Sequence, residues 1–369
     1  MTDTPPDASQ LEISVFGPGT GECVLVHIGD GDWIVVDSCI DRRTRRPVAL
    51  DYLTSLKVDV ASRVKLVVAT HWHDDHIQGL ADILFAAENA KFVNSAAYDF
   101  QQLLRLVALS NRVASPASAT REYDRIAEVL DHRRRAGLKR ETVGPMAALA
   151  NRKILSLTQG DRSVGAEIIA LSPSDAAYYL AKEELAAAFS AVKGGRRPVT
   201  QGPNQLSIVL WLKVGVLDVL LGADLEHTSE PTRGWLAITR SNERPTGRAG
   251  FFKVPHHGSQ NADCTECWTE LLSPDPIAVL TPHAPSRLPT PTDVKRICVR
   301  SSSAYSTSDH TSYGLPRRDN AVERTMRGMA TNRRALAGQM GHVRLRCDAV
   351  SVDPRPVVQL SAGARQLHV

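Results

Sequence analysis

The sequence predicts a mixed α/β fold in which two β-sheets lie between layers of helices, an αββα sandwich, and three features of the chain predict it. An opening meander of short apolar runs is punctuated by glycine turns, a helical stretch fills the middle, and strand-like runs return in the second half. Pattern alone fits a doubly wound sheet nearly as well. With 369 residues, 43% hydrophobic and 23% charged, the chain can bury a core of that size.

Taken in order, Leu11 to Phe16, Cys23 to Ile28 and Trp33 to Val36 read as strands, separated by Gly17-Pro18-Gly19 and Gly29-Asp30-Gly31-Asp32. A helix is expected near Ala49 to Leu56, then a buried strand from Val64 to Ala69, then a helix from Gly79 to Ala87. Between Ala96 and Ala150 apolar residues recur at helical spacing, as in Leu103, Leu106 and Val107 and again in Ile126, Val129 and Leu130. These predict helices covering one sheet face, partly as an insertion. Strand signals resume at Ala166 to Leu171, Ser207 to Leu212, Val216 to Leu221, Phe251 to Val254 and Ile277 to Leu280. Ser301 to Asn320 reads as a loop, and Val343 to Cys347 with Pro356 to Leu360 as a terminal hairpin. The expected organisation is a flexible segment 1–10, a main domain 11–300 with a helical insertion at about 96–150, and a C-terminal extension 301–369 packed on it.

The formal charge of +4, from 44 basic and 40 acidic residues, does not by itself demand a nucleic-acid partner. Arg133, Arg134 and Arg135 with Lys139 and Arg140 form the densest basic cluster, and Lys193, Arg196 and Arg197 a second. Each reads equally as a solvated face or as a surface that contacts phosphates. Six scattered cysteines do not make a disulfide framework. Met1 to Gln10 lacks the apolar core of a signal peptide, and no apolar run is long enough to span a bilayer. The expectation is a reduced, cytoplasmic protein with no membrane partner.

Chemistry concentrates where the strand Lys65 to Thr70 stops at His71-Trp72-His73-Asp74-Asp75-His76. Three imidazoles and a carboxylate in six positions suit divalent metals of the zinc type, and spacing of two on an extended segment aims His71 and His73 to one side. Asp75 and His76 can turn toward a second metal. Asp224 ends the apolar run Val219 to Ala223, where a carboxylate could bridge two cations or cap a turn. His256 and His257 follow another apolar strand and precede Gly258, which lets the backbone bend around the rings. One of them could equally be buried and the other solvated. Cys264-Thr265-Glu266-Cys267 has knuckle spacing without a second pair, and Gly17 to Gly21 lacks the lysine of a phosphate loop. Asp309 and His310 in a Ser-rich loop read as structural or exposed.

Together these segments resemble the metallo-β-lactamase superfamily, and more closely its branch containing the nuclease-like domain of the ComEC competence proteins. The matching text is Thr70 to Ile77, Asn204-Gln205-Leu206-Ser207-Ile208-Val209-Leu210, Leu221-Gly222-Ala223-Asp224 and Lys253-Val254-Pro255-His256-His257-Gly258-Ser259, in the right order from about Leu11 to Val299. Ile34-Val35-Val36-Asp37 looks like the family's first motif, whose aspartate usually braces the metal loop. The resemblance implies an αββα fold with two divalent metal ions, commonly zinc and in some nuclease branches manganese. By position, His71 and His73 would hold one metal and Asp75 and His76 the other, with Asp224 bridging. His256, close to its strand, would complete the shell, leaving His257 for substrate or a proton. Three departures stand out. The only histidine between the first cluster and Asp224 is His132, the glycine pair after the cluster reads Gln78-Gly79, and a His-Pro segment is replaced by Leu288-Pro289-Thr290-Pro291. His283 and Arg287 lie near that last segment and could reach substrate, although both also read as surface loop.

Such a centre would hydrolyse substrate with metal-activated water, with Asp75 or a free histidine handling the leaving-group proton. The resemblance and the basic clusters favour a phosphodiesterase or nuclease acting on DNA or RNA, with Arg133, Arg134 and Arg135 as substrate contacts. A small-molecule hydrolase acting on a phosphoester, lactone or acyl compound is the second class, and a metal-binding regulatory module without turnover the third.

Overall fold

The computed structural model describes residues 4–96, 118–193, 202–309, 325, 340–361 and 363–368. Leu103, Leu106, Val107, Arg196, Arg197 and His310 lie outside the described residues. In chain order the first strands are β1 (Gln10–Gly17), β2 (Cys23–Ile28), β3 (Trp33–Val36), β4 (Ile40–Asp41), β5 (Arg46–Pro47), β6 (Val64–Ala69), β7 (Lys91–Ser95), β8 (Pro145–Ala148) and β9 (Arg152–Leu157). The remainder are β10 (Ala166–Ala170), β11 (Leu210–Val214), β12 (Leu217–Leu221), β13 (Ala249–Lys253), β14 (Leu272–Leu280), β15 (Ala304–Ser306), β16 (Gly341–Asp348), β17 (Val357–Ser361) and β18 (Arg365–Gln366). The helices are α1 (Val48–Ser55), α2 (Val60–Arg63), α3 (Asp74–Ile77), α4 (Leu80–Ala86), α5 (Ser118–Arg135), α6 (Asp175–Lys193), α7 (Gly234–Thr239) and α8 (Pro291–Arg300).

The strands form two eight-stranded sheets, in the orders β17-β16-β1-β2-β3-β6-β7-β8 and β18-β15-β14-β13-β12-β11-β10-β9. Side-chain alternation explains why their sequences read as unbroken apolar runs. Leu11, Ile13, Val24, Val26, Ile34 and Leu66 of the first sheet meet Ile168, Leu210, Leu212, Val219 and Val279 of the second in one inter-sheet core. The opposite pleat of the first sheet, with Leu25, Trp33, Val35 and Phe92, packs against α1, α4 and α5 through Leu53, Leu80, Leu84, Ile126 and Leu130. Trp211, Leu220 and Phe252 on the outer pleat of the second sheet meet Trp235 of α7 and Ile297 of α8. The layers are therefore αββα, and the doubly wound alternative is excluded.

The segment beyond residue 300 is woven into both sheets. β15 pairs with β14, β18 with β15, and β16 lies between β17 and β1, with Gln10 opposite Asp348. Part of the stretch expected as a loop, Ala304–Ser306, is thus a strand. Likewise β8, inside the expected helical insertion, is the edge strand of the first sheet and runs parallel to β7. Among the described residues no helix is long and apolar enough to cross a membrane.

Candidate metal centre

Each sheet passes from an antiparallel meander to parallel strands, β3-β6-β7-β8 in the first and β12-β13-β14-β15 in the second. Parallel strands present their carboxyl ends on one side, where loops can gather side chains from several strands. The metal loop leaves β6, Asp224 follows β12, His257 follows β13 and His283 follows β14.

Asp37 locks the metal loop from the end of β3. Its own backbone turns back with φ 58°. Its carboxylate accepts from Thr70 N (2.8 Å) and the Thr70 hydroxyl (2.7 Å), and from His76 Nδ1 (2.7 Å). Holding Nδ1–H in this way fixes the His76 tautomer and turns its Nε2 lone pair inward. His76 Nε2 lies 3.3 Å from Asp224 Oδ2 and 3.7 Å from Asp75 Oδ2. His71 and His73 adjoin it, with His71 Nε2 3.1 Å from His73 Nδ1 and the His71 and His76 rings 4.2 Å apart.

Of the histidine pair, His257 joins the cluster and His256 does not, which corrects the expectation that favoured His256. Both residues are left-handed (φ 46° and 56°). This turn buries the His257 ring with Nδ1 donating to the Thr281 carbonyl (2.8 Å) and Nε2 3.3 Å from Asp75 Oδ2 and 3.5 Å from Asp224 Oδ2. His256 faces instead Glu226 (3.6 Å) and the Asn204 amide (3.3 Å). His283 also belongs to the site rather than to an outlying loop. Its Nε2 is 3.7 Å from Asp75 Oδ2 and its ring stacks on His257 at 4.9 Å. Arg287 sits exposed on the same loop.

The arginine-rich helix needs a correction too. Arg133 is buried, and its guanidinium donates to the carbonyls of Ala90 (2.8 Å), Thr142 (3.1 Å), Ala87 (2.6 Å) and Leu84. Capping these carbonyls at the end of α4 and the start of β7 leaves it nothing to offer a substrate. Arg134 and Arg135 are exposed and face Asp131. Asp309 receives Arg365 (2.9 Å), and Cys264 and Cys267 are buried thiols in the outer core of the second sheet.

Two groups missed in the sequence back the cluster. Glu22, just before β2, and Lys253, the last residue of β13, form a buried ion pair at 2.5 Å, each 2% exposed or less. The second Glu22 oxygen lies 3.8 Å from His76 Nδ1, Lys253 Nζ is 4.0 Å from Asp224 Oδ1, and the Thr281 hydroxyl donates to Glu22 (2.6 Å). The signal was available: a charged residue inside or bordering a fully apolar strand must find a partner.

Charge in the cluster is tightly compensated. Burial would strip His76 of its proton, but Asp224, Asp75, Glu22 and Asp37 outweigh it and raise the imidazole well above its ordinary range. Burial likewise opposes charge on His257, which Asp224 and Asp75 raise. Asp75 and Asp224 would be raised by burial, yet His76 and His257 hold both carboxyls well below the usual range. His71, His73 and His283 are pushed down, chiefly by burial.

The donors fit a divalent metal. Asp75, His76 and His257, and separately Glu22, His76 and Asp224, each place one ligand atom apiece within 4.8 Å of one another. His76 Nε2 and Asp224 Oδ1 are buried with no hydrogen-bond partner. Two imidazole lone pairs aimed at carboxylate oxygens need a cation or a proton between them, and metal binding exchanges the one for the other. A cleft of about 580 Å³ opens over this set, bordered by Trp72, His73, Asp75, His257, His283 and Ser286.

Two sheets enclosed by helices, with His and Asp side chains gathered at their parallel strand ends, define an α/β protein with a candidate metal site. The chain belongs to the metallo-beta-lactamase superfamily, whose sequence profile matches residues 16–283 and whose members are typically metal-dependent hydrolases. Its structure is similar to that of the metallo-beta-lactamase fold protein YhfI from Bacillus subtilis, with 12% identity and a TM-score of 0.40 over 80% of this chain and 95% of that one. A metallo-beta-lactamase from Hirschia baltica is similar at 10% identity and a TM-score of 0.27, over 59% of this chain and 68% of that one. No curated protein matches the chain.

Proposed function

We propose that this protein is a metal-dependent phosphodiesterase with a dinuclear centre of zinc or manganese. The observation that carries the reading is the convergence of His71, His73, Asp75 and His76 from one sheet with Asp224, His257 and His283 from the other beneath one open cleft. In this reading His71 and His73 hold one metal, Asp75, His76 and His257 the other, and Asp224 lies between. Bound divalent metals would supply a water acidic enough to ionise near neutral pH and positive charge for the phosphoryl oxygens.

The protein's own groups do the rest. Asp37 and the Thr281 carbonyl fix the tautomers of His76 and His257, so that each presents Nε2 without rotating. His283, half-buried at the cleft rim with its Nδ1 2.9 Å from the Ser286 hydroxyl, is placed to contact the substrate at the leaving oxygen. Trp72 and Pro203 also line the cleft and offer apolar surface for a sugar or base.

Nucleic acid is the substrate class favoured by the resemblance to the ComEC-type branch, with Arg134 and Arg135 remaining as exposed basic groups. Burial of Arg133 favours the second reading, a small phosphoester, because it removes a charge from the surface that would track a polyanion. Cleavage of single- and double-stranded DNA and RNA, and of a chromogenic phosphodiester, should be measured with zinc, manganese or magnesium beside His73→Ala and Asp75→Ala. Metal-dependent cleavage lost in both variants supports the phosphodiesterase. Absence of cleavage by protein shown to hold metal would refute it.

A further inference from the structure

The turn that aims His257 is built from backbone that residues with side chains rarely adopt. His256, His257 and Gly258 take left-handed φ in succession, at 46°, 56° and 81°, and only the glycine does so without steric cost. Relaxation of either histidine would swing the His257 ring away from Asp75 and Asp224, so the turn needs restraint from outside. At its entry His256 N donates to Ala223 O (3.0 Å). At its exit the Gly258 carbonyl accepts from Arg296 Nη2 of α8 (2.7 Å). The Thr281 carbonyl fixes the rotation of the His257 ring, but not the backbone that carries it. We propose that Arg296 is a positioning residue for the metal centre: by holding the Gly258 carbonyl it keeps the His257 imidazole aimed at the cluster before a metal arrives. The gain in metal affinity rests on the metal-centre reading. The aim of the ring in metal-free protein does not.

Arg296 is itself held by two carboxylates. Its Nη1 donates to Asp293 Oδ1 (2.6 Å), and its Nε lies 3.4 Å from Asp263 Oδ2. Asp293 is fixed in turn by the reciprocal cap that starts α8. Its Oδ2 accepts from Thr290 N (2.9 Å), and the Thr290 hydroxyl accepts from Asp293 N (3.2 Å). The other oxygen of Asp263 accepts from Arg300 Nη1 (2.6 Å) and Trp268 Nε1 (3.2 Å). Two arginines thus face two carboxylates with their charges balanced. The planar fork of Arg296 is pre-organised by these contacts, and Nη2 is the part of it that reaches the turn.

α8 also leaves the turn little room to shift. A Cβ added at Gly258 would meet Ile297 Cδ1 at 3.1 Å and Leu280 Cδ2 at 3.3 Å, and Ile297 belongs to the outer core of the second sheet. An ion pair such as Arg296 with Asp293, three residues apart on one helix, contributes little by itself. The contact with Gly258 is what sets Arg296 apart from Arg300, one turn further on, which shares Asp263 but reaches Thr265 and lies over the Trp268 ring at 5.5 Å. Arg300 is therefore the matched control.

The test reads the ring first and the metal second. Imidazole N–H protons are followed by NMR in chelator-stripped protein for the natural sequence, Arg296→Met and Arg300→Met, the His257 signal being identified by its absence in His257→Gln. His27, whose buried Nδ1 lies 2.7 Å from Gln10 O on β1, serves as an internal reference for the intact fold. Arg296→Met should lose the His257 signal and keep that of His27, whereas Arg300→Met should keep both. Zinc affinity, measured by competition with a chromogenic chelator, should fall about 10–100-fold in Arg296→Met and stay unchanged in Arg300→Met. If Arg296→Met does not fold, Arg296→Met with Asp293→Asn, which strands no carboxylate, is compared with Asp293→Asn alone, and the same losses are expected. A His257 signal unchanged by removal of Arg296 overturns the proposal, as does an equal loss in Arg300→Met. Loss of the signal with unaltered zinc affinity overturns the role in metal binding. A natural sequence that binds no divalent metal, with a His257 signal that still depends on Arg296, supports the clamp and overturns the metal-centre reading instead.

Discussion

The two sheets share one plan, an antiparallel meander running into parallel strands, yet they bring side chains to the candidate centre in different ways. The first sheet gives four from a single loop, His71 to His76, braced by one carboxylate, Asp37. The second gives three from three strand ends, Asp224, His257 and His283. A donor set carried by one loop stands or falls with that loop. A set spread over β12, β13 and β14 depends on the register of a whole sheet, and its members can be lost singly. The comparison predicts different failures for the two halves.

Replacing Asp224 by Ala should have the largest effect, because its carboxylate approaches both His76 and His257. Metal content measured by mass spectrometry should fall, and hydrolysis should drop beyond the roughly 10–100-fold typical of outer-shell changes. Unchanged metal content and activity would remove Asp224 from the centre. His257→Ala should weaken metal binding by a similar order while His256→Ala leaves it nearly intact, as read by competition with a chromogenic chelator. The reverse ranking would mean that the turn at 256 and 257 faces the other way.

The seam between the halves offers a stability test. Lys253→Met strands the Glu22 carboxylate in the interior and should cost about 3–5 kcal/mol in urea unfolding. Adding Glu22→Gln should recover much of that loss. If the double variant is as unstable as the single one, Lys253 acts through packing and not through the pair.

The smallest effect expected lies away from the candidate metal site. His342, stacked on Phe16 at 4.0 Å, is held neutral by burial and then by Arg344, its pKa pushed down to about 3. Below about pH 6.5 the unfolded chain binds a proton that the folded form refuses, so stability is lost as pH falls from there toward 3. The slope should approach about 1.4 kcal/mol per pH unit at most. His342→Phe keeps the stack and should flatten the acid limb; equal losses for both proteins between pH 7 and pH 5 would rule this out.

The same contrast explains what the sequence made legible. Donors packed into six positions after an apolar strand announce themselves, and Asp224 is visible because it ends such a run. The choice between His256 and His257 turns on two left-handed residues, which neither spacing nor composition reveals. His283 enters only because β14 lies parallel beside β13, a long-range fact. Arg133 belongs to the core although its neighbours in the chain are basic. It follows Ile126 and Leu130 at helical spacing, on the face that α5 buries. The two-sheet sandwich could be anticipated from the sequence of strands and helices, but the partners of β1 could not, since β16 is so distant from it.

That pairing bears on how the chain is made. Ribosomes release the first strands long before β16 exists, and at roughly 5–20 residues per second the wait runs to tens of seconds. During that interval one edge of β1, with Leu11, Ile13 and Val15, has no neighbour to cover it. An open apolar strand edge invites other nascent chains. Expression yield should therefore respond to slower elongation or to a holdase chaperone, and a stop codon placed before Gly341 should send the product to inclusion bodies rather than shorten it harmlessly.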